Sequence, residues 1–244
     1  MRIFLKIAYD GTNYSGWQFQ NNADSIQERI ENALGQVFNM PVRVEGASRT
    51  DAGVHALGQV AAFNVDECKI PLDKLPNVIN AYLPDDIVVN LASEVDESFS
   101  PRFSAKSKSY SYRIFCADTE NPLLNRYTAF VPKNLDITLM QKASCFFVGK
   151  HDFAAFCATG SSAKTTVREI YSLEVIKNDN LIEIKINGNA FLYNMVRIIA
   201  GTLVSVGVCK IPYGSILEII MLKDRTKAGK TMPAKGLTLE RIYY

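Results

Sequence analysis

The chain has 244 residues, 48% of them hydrophobic and 21% charged, a balance that supports a substantial core and excludes a disordered or low-complexity protein. Its 27 Lys and Arg against 25 Asp and Glu leave a formal charge of +2, which excludes a histone-like polycation, so any nucleic-acid surface must come from local clustering of cations. Cys68, Cys116, Cys145, Cys157 and Cys209 include no C-x-x-C pair, which argues against a disulfide framework or zinc cluster and fits a reducing, cytoplasmic compartment.

Residues 1–6 lose their apolar character at Lys6, unlike a signal peptide, and Ile3, Leu5, Ile7 and Tyr9 then share one face of a predicted strand. Residues 9–20 form a loop with the only Trp, two glycines, and Gln18 and Gln20. It reads either as a packed loop or as a groove wall whose glycines let a backbone approach closely and whose polar side chains bond to RNA. Ser25 with Glu28 three residues on is a capping box, and Ile26, Ile30, Ala33, Leu34, Val37 and Phe38 make the apolar stripe of a first helix. Strands are predicted over residues 42–45 and 57–65, a helix over 72–82 and a strand over 87–95. That order, β-α-β-β-α-β, is the split-βαβ or ferredoxin-like arrangement.

The second half repeats the theme, with strands expected at 107–116, 126–131, 167–176, 181–187 and 237–243, and helices at 137–148, 191–206 and 213–222. The fold class expected is therefore α+β: two related ferredoxin-like, RRM-like halves, residues 1–103 and 104–244, with antiparallel sheets and an RNA-binding cleft between them. Residues 190–209 are apolar enough to suggest a membrane span, but Arg197 near the middle costs roughly 2.5 to 3.5 kcal/mol on insertion, so a buried helix is expected and no membrane contact. On that helix Ala190, Asn194, Arg197 and Gly201 would share one face, and a buried guanidinium there asks for a carboxylate partner. A purely structural ion pair would answer that need equally well.

Residues 46–56 interrupt a strand pair and concentrate Arg49, Thr50, Asp51 and His55; read alone, this is a polar Asx-turn or a catalytic loop. Residues 102–113 interleave Arg102, Lys106, Lys108 and Arg113 with Phe103, Tyr110 and Tyr112, as in a strand that stacks bases on rings and phosphates on cations, or in an edge strand kept soluble by Lys. His55 and His151 belong to no metal-ligand pattern, and phosphate-loop, dinucleotide and nucleophile-elbow motifs are missing, so neither metal nor cofactor is expected.

Together these strings resemble the bacterial tRNA pseudouridine synthase A family. The R-T-D-A-G-V-H-A loop is matched by residues 49–56, the Y-D-G-x-x-Y-x-G-W-Q-x-Q opening by 9–20, the Y-x-Y strand by Tyr110 and Tyr112, H-D-F by 151–153, and A-F-L-x-N-M-V-R by 190–197. The resemblance implies an isomerase that converts uridine to pseudouridine at positions 38–40 of the tRNA anticodon arm, without cofactor, as a homodimer. It implies Asp51 as catalytic carboxylate, Arg197 as its ion-pair partner, and Tyr110 as the ring that stacks on the target base and helps move the C5 proton. Arg49 would assist base flipping, and Thr50, His55, Gln18, Gln20, Lys106 and Lys108 would complete the RNA contacts. Ser48 stands where the family pattern has Gly, so a positive φ there would strain the loop. The competing readings are a ferredoxin-like RNA-binding protein without activity, which has little use for a carboxylate facing a polyanion, and a metal-dependent hydrolase, which lacks its clustered ligands.

Overall fold

A computed structural model describes all residues, Met1–Tyr244, as a mixed α+β protein of two compact units. The first comprises Met1–Lys106 together with Thr238–Tyr244, and the second Ser107–Leu237.

In the first unit, β1 (Arg2–Tyr9) leads through the loop to α1 (Ile26–Phe38), β2 (Glu45–Gly46), β3 (His55–Asn64), α2 (Leu75–Asn80) and β4 (Ile87–Val95). Antiparallel β1 lies between β4 and β3, pairing Leu5 with Ala92 and with Ala61. β2 pairs antiparallel with β3 at Ala61 and Ala62, so β1 and β2 run parallel to each other on either side of β3. The alternation read in β1 puts Ile3, Leu5, Ile7 and Tyr9 in the core. α1 starts where Ser25 Oγ accepts the Glu28 N–H and stops at Asn39, whose left-handed φ of 52° suits its short polar side chain.

Two predicted elements are shorter than expected. The strand over 42–45 shrinks to Glu45–Gly46 because buried Glu31 on α1 captures the Val44 N–H at 3.1 Å and the Arg43 guanidinium, so those groups serve the helix instead of a ladder. The helix over 72–82 shrinks to Leu75–Asn80, since Pro76 occupies its first turn and the Asn80 side chain bonds both main-chain groups of Val89 at 2.8 and 2.9 Å.

The second unit contains β5 (Ser107–Cys116), β6 (Ala129–Val131), α3 (Ile137–Ser144), β7 (Gly149–Asp152), β8 (Val167–Asn178), β9 (Leu181–Gly188), α4 (Met195–Gly207) and α5 (Ile216–Leu222). β9 is antiparallel to both β5 and β8, so those two run parallel around it, while β7 continues the sheet beyond β8 and β6 lies parallel to β5. Sequence periodicity did not foresee β7: it is four residues long and interrupted by charge. The last strand, β10 (Leu237–Tyr243), pairs parallel with β3 at Thr238 and Leu239, which returns the C-terminus to the first unit although sequence order would leave it with the second.

The helix expected from residue 191 begins only at Met195. Asn189 Oδ1 takes the Ala190 N–H at 2.7 Å, and Asn194 sits at a left-handed φ of 59°, so Ala190 and Asn194 precede the helix instead of sharing its face with Arg197. Most of α4 is buried, and its 13 residues span about 20 Å. No helix is long and apolar enough to cross a membrane.

Candidate active site

Between β2 and β3 the Asp51 loop is fixed by main-chain bonds on both flanks. Trp17 N–H donates to the Thr50 carbonyl at 3.0 Å, Gly53 N–H to the Tyr14 carbonyl at 3.3 Å, and Val54 N–H back to the Asp51 carbonyl at 3.1 Å. Thr50 is buried with its hydroxyl 2.7 Å from that of Tyr9. Gln59, wholly buried on β3, brackets Ser48 by accepting its N–H at 3.2 Å and donating to its carbonyl at 2.7 Å. Ser48 is absent from the residues with positive φ, so the strain anticipated for it does not arise. The half-buried Asp51 thus stands on a main chain whose position is set from both sides.

The opening loop is the platform beneath it. A Cβ at Gly11 would stand 2.0 Å from the Val54 carbonyl oxygen, and one at Gly16, where φ is +96°, would stand 2.5 Å from the Thr50 oxygen and 3.0 Å from the Asp51 carbonyl carbon. The main chain that these glycines let approach closely is that of the Asp51 loop. Asp86, at the entry to β4, clasps the platform: its carboxylate accepts the Tyr14 hydroxyl at 2.5 Å and its carbonyl accepts the Asp10 N–H at 2.9 Å. Burial and the neighbouring Asp86 push the Tyr14 phenol well above its usual range, so it remains a donor.

His55 is buried under the loop. Its Nδ1 accepts the Gly11 N–H at 3.1 Å and lies equally far from an Asp10 carboxylate oxygen. With Nδ1 set between the Gly11 N–H and the Asp10 carboxylate, the ring ties the opening loop to the start of β3, just after the Asp51 loop. Thr50 and His55, expected to touch RNA, are therefore turned inward and hold the loop. Arg49 is exposed, as are Gln18 and Gln20, whose amides donate to Gln27 Oε1 at 2.9 Å and the Ser15 carbonyl at 3.1 Å. Lys106 is exposed too, its N–H bonded to the Tyr243 carbonyl at 2.8 Å.

In the second unit Tyr110 and Tyr112 share one face of β5, both buried. The Tyr112 hydroxyl donates to the Pro233 carbonyl at 2.7 Å; Tyr110, 7% exposed, meets Phe191 edge-on at 5.2 Å. Lys108 is half-buried, its carbonyl accepting from Asn187. Arg197 lies in the first turn of α4, where the helix dipole opposes a cation by about 0.3 to 1 kcal/mol. Helix stability does not explain it. Its guanidinium is oriented by oxygens on either side of it in sequence: Nε donates to the Met232 carbonyl at 2.7 Å and Nη1 to Asn194 Oδ1 at 2.6 Å. Its charge also draws down the Tyr112 phenol, which burial pushes up more strongly.

The H-D-F string is structural. Phe153 is wholly buried against Phe156, which meets Phe147 edge-on at 5.1 Å. Asp152 accepts from Lys223 Nζ at 2.8 Å, from the Thr166 hydroxyl and from the Ala154 N–H at 3.2 Å, tying β7 to the end of α5 and the start of β8. Lys223 first, then Thr166, hold its carboxyl below the usual carboxylate range. A depressed folded-state pKa contributes stability that is present above the unfolded value near 4 and lost as pH falls through the folded one. Asp152→Asn is expected to lower unfolding free energy at pH 7 by about 1 kcal/mol and to flatten its fall below pH ~4, as measured by urea titrations at stepped pH. An unchanged acid limb in the variant would remove Asp152 from that role.

Sequence reasoning missed Asp86 and Gln59. Gln59 had a signal, a long polar side chain inside the predicted strand 57–65; Asp86 had none, because its partners lie over 70 residues upstream.

The model of the tRNA pseudouridine synthase family matches residues 6–104 and 143–244, and the chain belongs to that family. A tRNA pseudouridine synthase A of Ruminiclostridium cellulolyticum is 52% identical over 244 residues, covering 100% of this chain and 99% of that one. Another of the same name from Thermoanaerobacter sp. is 48% identical over 242 residues, 99% of each chain. Among solved structures, a Cbf5-Nop10-Gar1 complex aligns with 98% of this chain and 58% of that chain at 13% identity and a TM-score of 0.37, too low to support a conclusion.

Proposed function

We propose that the protein isomerises uridine to pseudouridine in tRNA, at positions 38–40 of the anticodon arm, with Asp51 as the catalytic carboxylate. The observation that carries the reading is the Asp51 loop, with the Arg49-Thr50-Asp51 string intact on a main chain braced from both flanks. The reaction is redox-neutral. The N1–C1′ bond breaks, uracil turns, C5 bonds to C1′, and the proton lost from C5 is balanced by one gained at N1. A carboxylate serves this either by adding to the ribose or uracil ring and leaving again, or by taking a proton in an elimination route.

Arg197 is the ion-pair partner of Asp51 in this reading. What supports it is a cation placed where the helix dipole disfavours one. Tyr110 is the ring that stacks on the target base and helps move the C5 proton; nearly covered here, it is uncovered as the nucleotide enters. Arg49, Gln18, Gln20, Lys106 and Lys108 contact the RNA. We read the two halves as related ferredoxin-like units, since β1 and β2 flank β3 in the first as β5 and β8 flank β9 in the second. The enzyme works in the cytoplasm as a homodimer.

The test is incubation of the protein with unmodified tRNA transcript without added metal, mapping pseudouridine by carbodiimide-dependent primer-extension stops. Stops at positions 38–40 are expected; a protein that binds the transcript and leaves every uridine unchanged would be an RNA-binding protein only.

A further inference from the structure

The sequence holds 13 phenylalanines, and in the structure Phe103 alone among them is exposed, at 81%. The other rings with large exposure, such as Tyr82 at 55% and Tyr171 at 48%, are tyrosines with a hydroxyl to hydrate. Phe103 offers water only apolar surface.

Its backbone is held in place. Ser104 N–H donates to the Ser100 carbonyl at 2.9 Å, Ser100 N–H to Ser104 Oγ at 3.1 Å, and the Tyr244 hydroxyl to the Pro101 carbonyl at 2.8 Å. The turn is rooted in the first unit by Phe99, whose carbonyl accepts from Arg2 Nε at 2.7 Å and whose ring packs on Phe4 and Tyr244 at 5.9 and 5.0 Å. Phe99 and Tyr244 are taken into this cluster while Phe103, on the same turn, is presented outward. The guanidinium of exposed Arg102 lies 5.3 Å from the Phe103 ring centroid. No Asp or Glu occurs between Glu97 and Asp118, a stretch that carries Arg102, Lys106, Lys108 and Arg113.

We propose that Phe103 is a stacking platform for an unpaired nucleotide of the tRNA substrate, with Arg102 on that nucleotide's phosphate. An aromatic face beside a guanidinium is the combination that holds single-stranded bases without reading their identity. Arg102 and Lys106, with no carboxylate between Glu97 and Asp118, suit a phosphate backbone, whereas a contact that paired this stretch with its own copy would set cations against cations. A rigid turn loses little conformational freedom when the base arrives. The inference rests on the proposed action on tRNA but is read by binding, so it fails or survives separately from the chemistry.

The experiment measures affinity of the full-length protein for unmodified tRNA transcript by filter binding over a salt series, with sedimentation to report oligomeric state and thermal melting to confirm folding. Phe103→Ala is expected to weaken binding about tenfold with the salt slope retained, and Phe103→Trp to restore it. Arg102→Gln is expected to lower the slope of log K against log salt by about one. Wild-type affinity in Phe103→Ala overturns the platform, whether the oligomeric state is kept or lost; if it is lost, the ring serves self-association. Loss of binding that Phe103→Trp does not restore also overturns it. Tight tRNA binding by a wild type that makes no pseudouridine would overturn the synthase reading and leave this one standing.

Discussion

Asp51→Asn is expected to lower pseudouridine formation by about four orders of magnitude or more in single turnover while tRNA affinity stays within about twofold of wild type. The amide keeps the volume and planarity of the carboxylate but supplies neither a nucleophile nor a base at neutral pH. The substitution leaves in place the main-chain and neighbouring bonds that fix the loop: Trp17 to the Thr50 carbonyl, Val54 to the Asp51 carbonyl, and the Thr50 hydroxyl with Tyr9. Tritium release from tRNA labelled at uridine C5 reads the reaction, and filter binding reads the complex. A variant that retained even a hundredth of the wild-type rate would show that another group does the chemistry. A variant that lost both rate and binding would place Asp51 in recognition instead.

How far this site was legible in the sequence depends on the range of the forces that build it. Period-two alternation in β1 and the Ser25 cap are local patterns, and both stand in the structure. The Asp51 loop was legible as a string but not as an object. Its supports come from Trp17 and Tyr14, more than 30 residues upstream, and from Gln59, whose partners depend on the register of β3. Thr50 and His55 show the limit plainly, since polar residues in a loop suggest ligand contacts, yet both are buried and bonded inward. The start of α4 was misplaced for a similar reason: residues 190–193 extend its apolar run, but the Asn189 side chain takes the Ala190 N–H and Asn194 adopts a left-handed φ. Hydrophobic pattern reports what wants burial, whereas the ends of elements are set by individual polar groups.

The platform role of the opening loop leads to the second large effect, at Gly16. Its φ of +96° disfavours any side chain, by about 1 to 2 kcal/mol on backbone grounds. A Cβ there would also press within 2.5 Å of the Thr50 oxygen and 3.0 Å of the Asp51 carbonyl carbon, both main-chain atoms that cannot swing aside as a side chain would. Gly16→Ala is therefore expected to lower stability by about 2 to 4 kcal/mol, and in the fraction that remains folded to slow single turnover by about a hundredfold, because the Asp51 backbone must move. Gly160→Ala separates the two contributions. Its φ of +88° imposes a similar backbone penalty, but nothing lies within 4 Å of the added methyl, so stability should fall by about 1 kcal/mol with no displacement of Asp51. Denaturant titration and single-turnover rates, taken where both variants are folded, make the comparison. If Gly16→Ala turns over at the wild-type rate once folded, the opening loop supports the unit without setting Asp51. If it is slow and Gly160→Ala is not, the Y-D-G-x-x-Y-x-G string serves catalysis through the main chain of the aspartate.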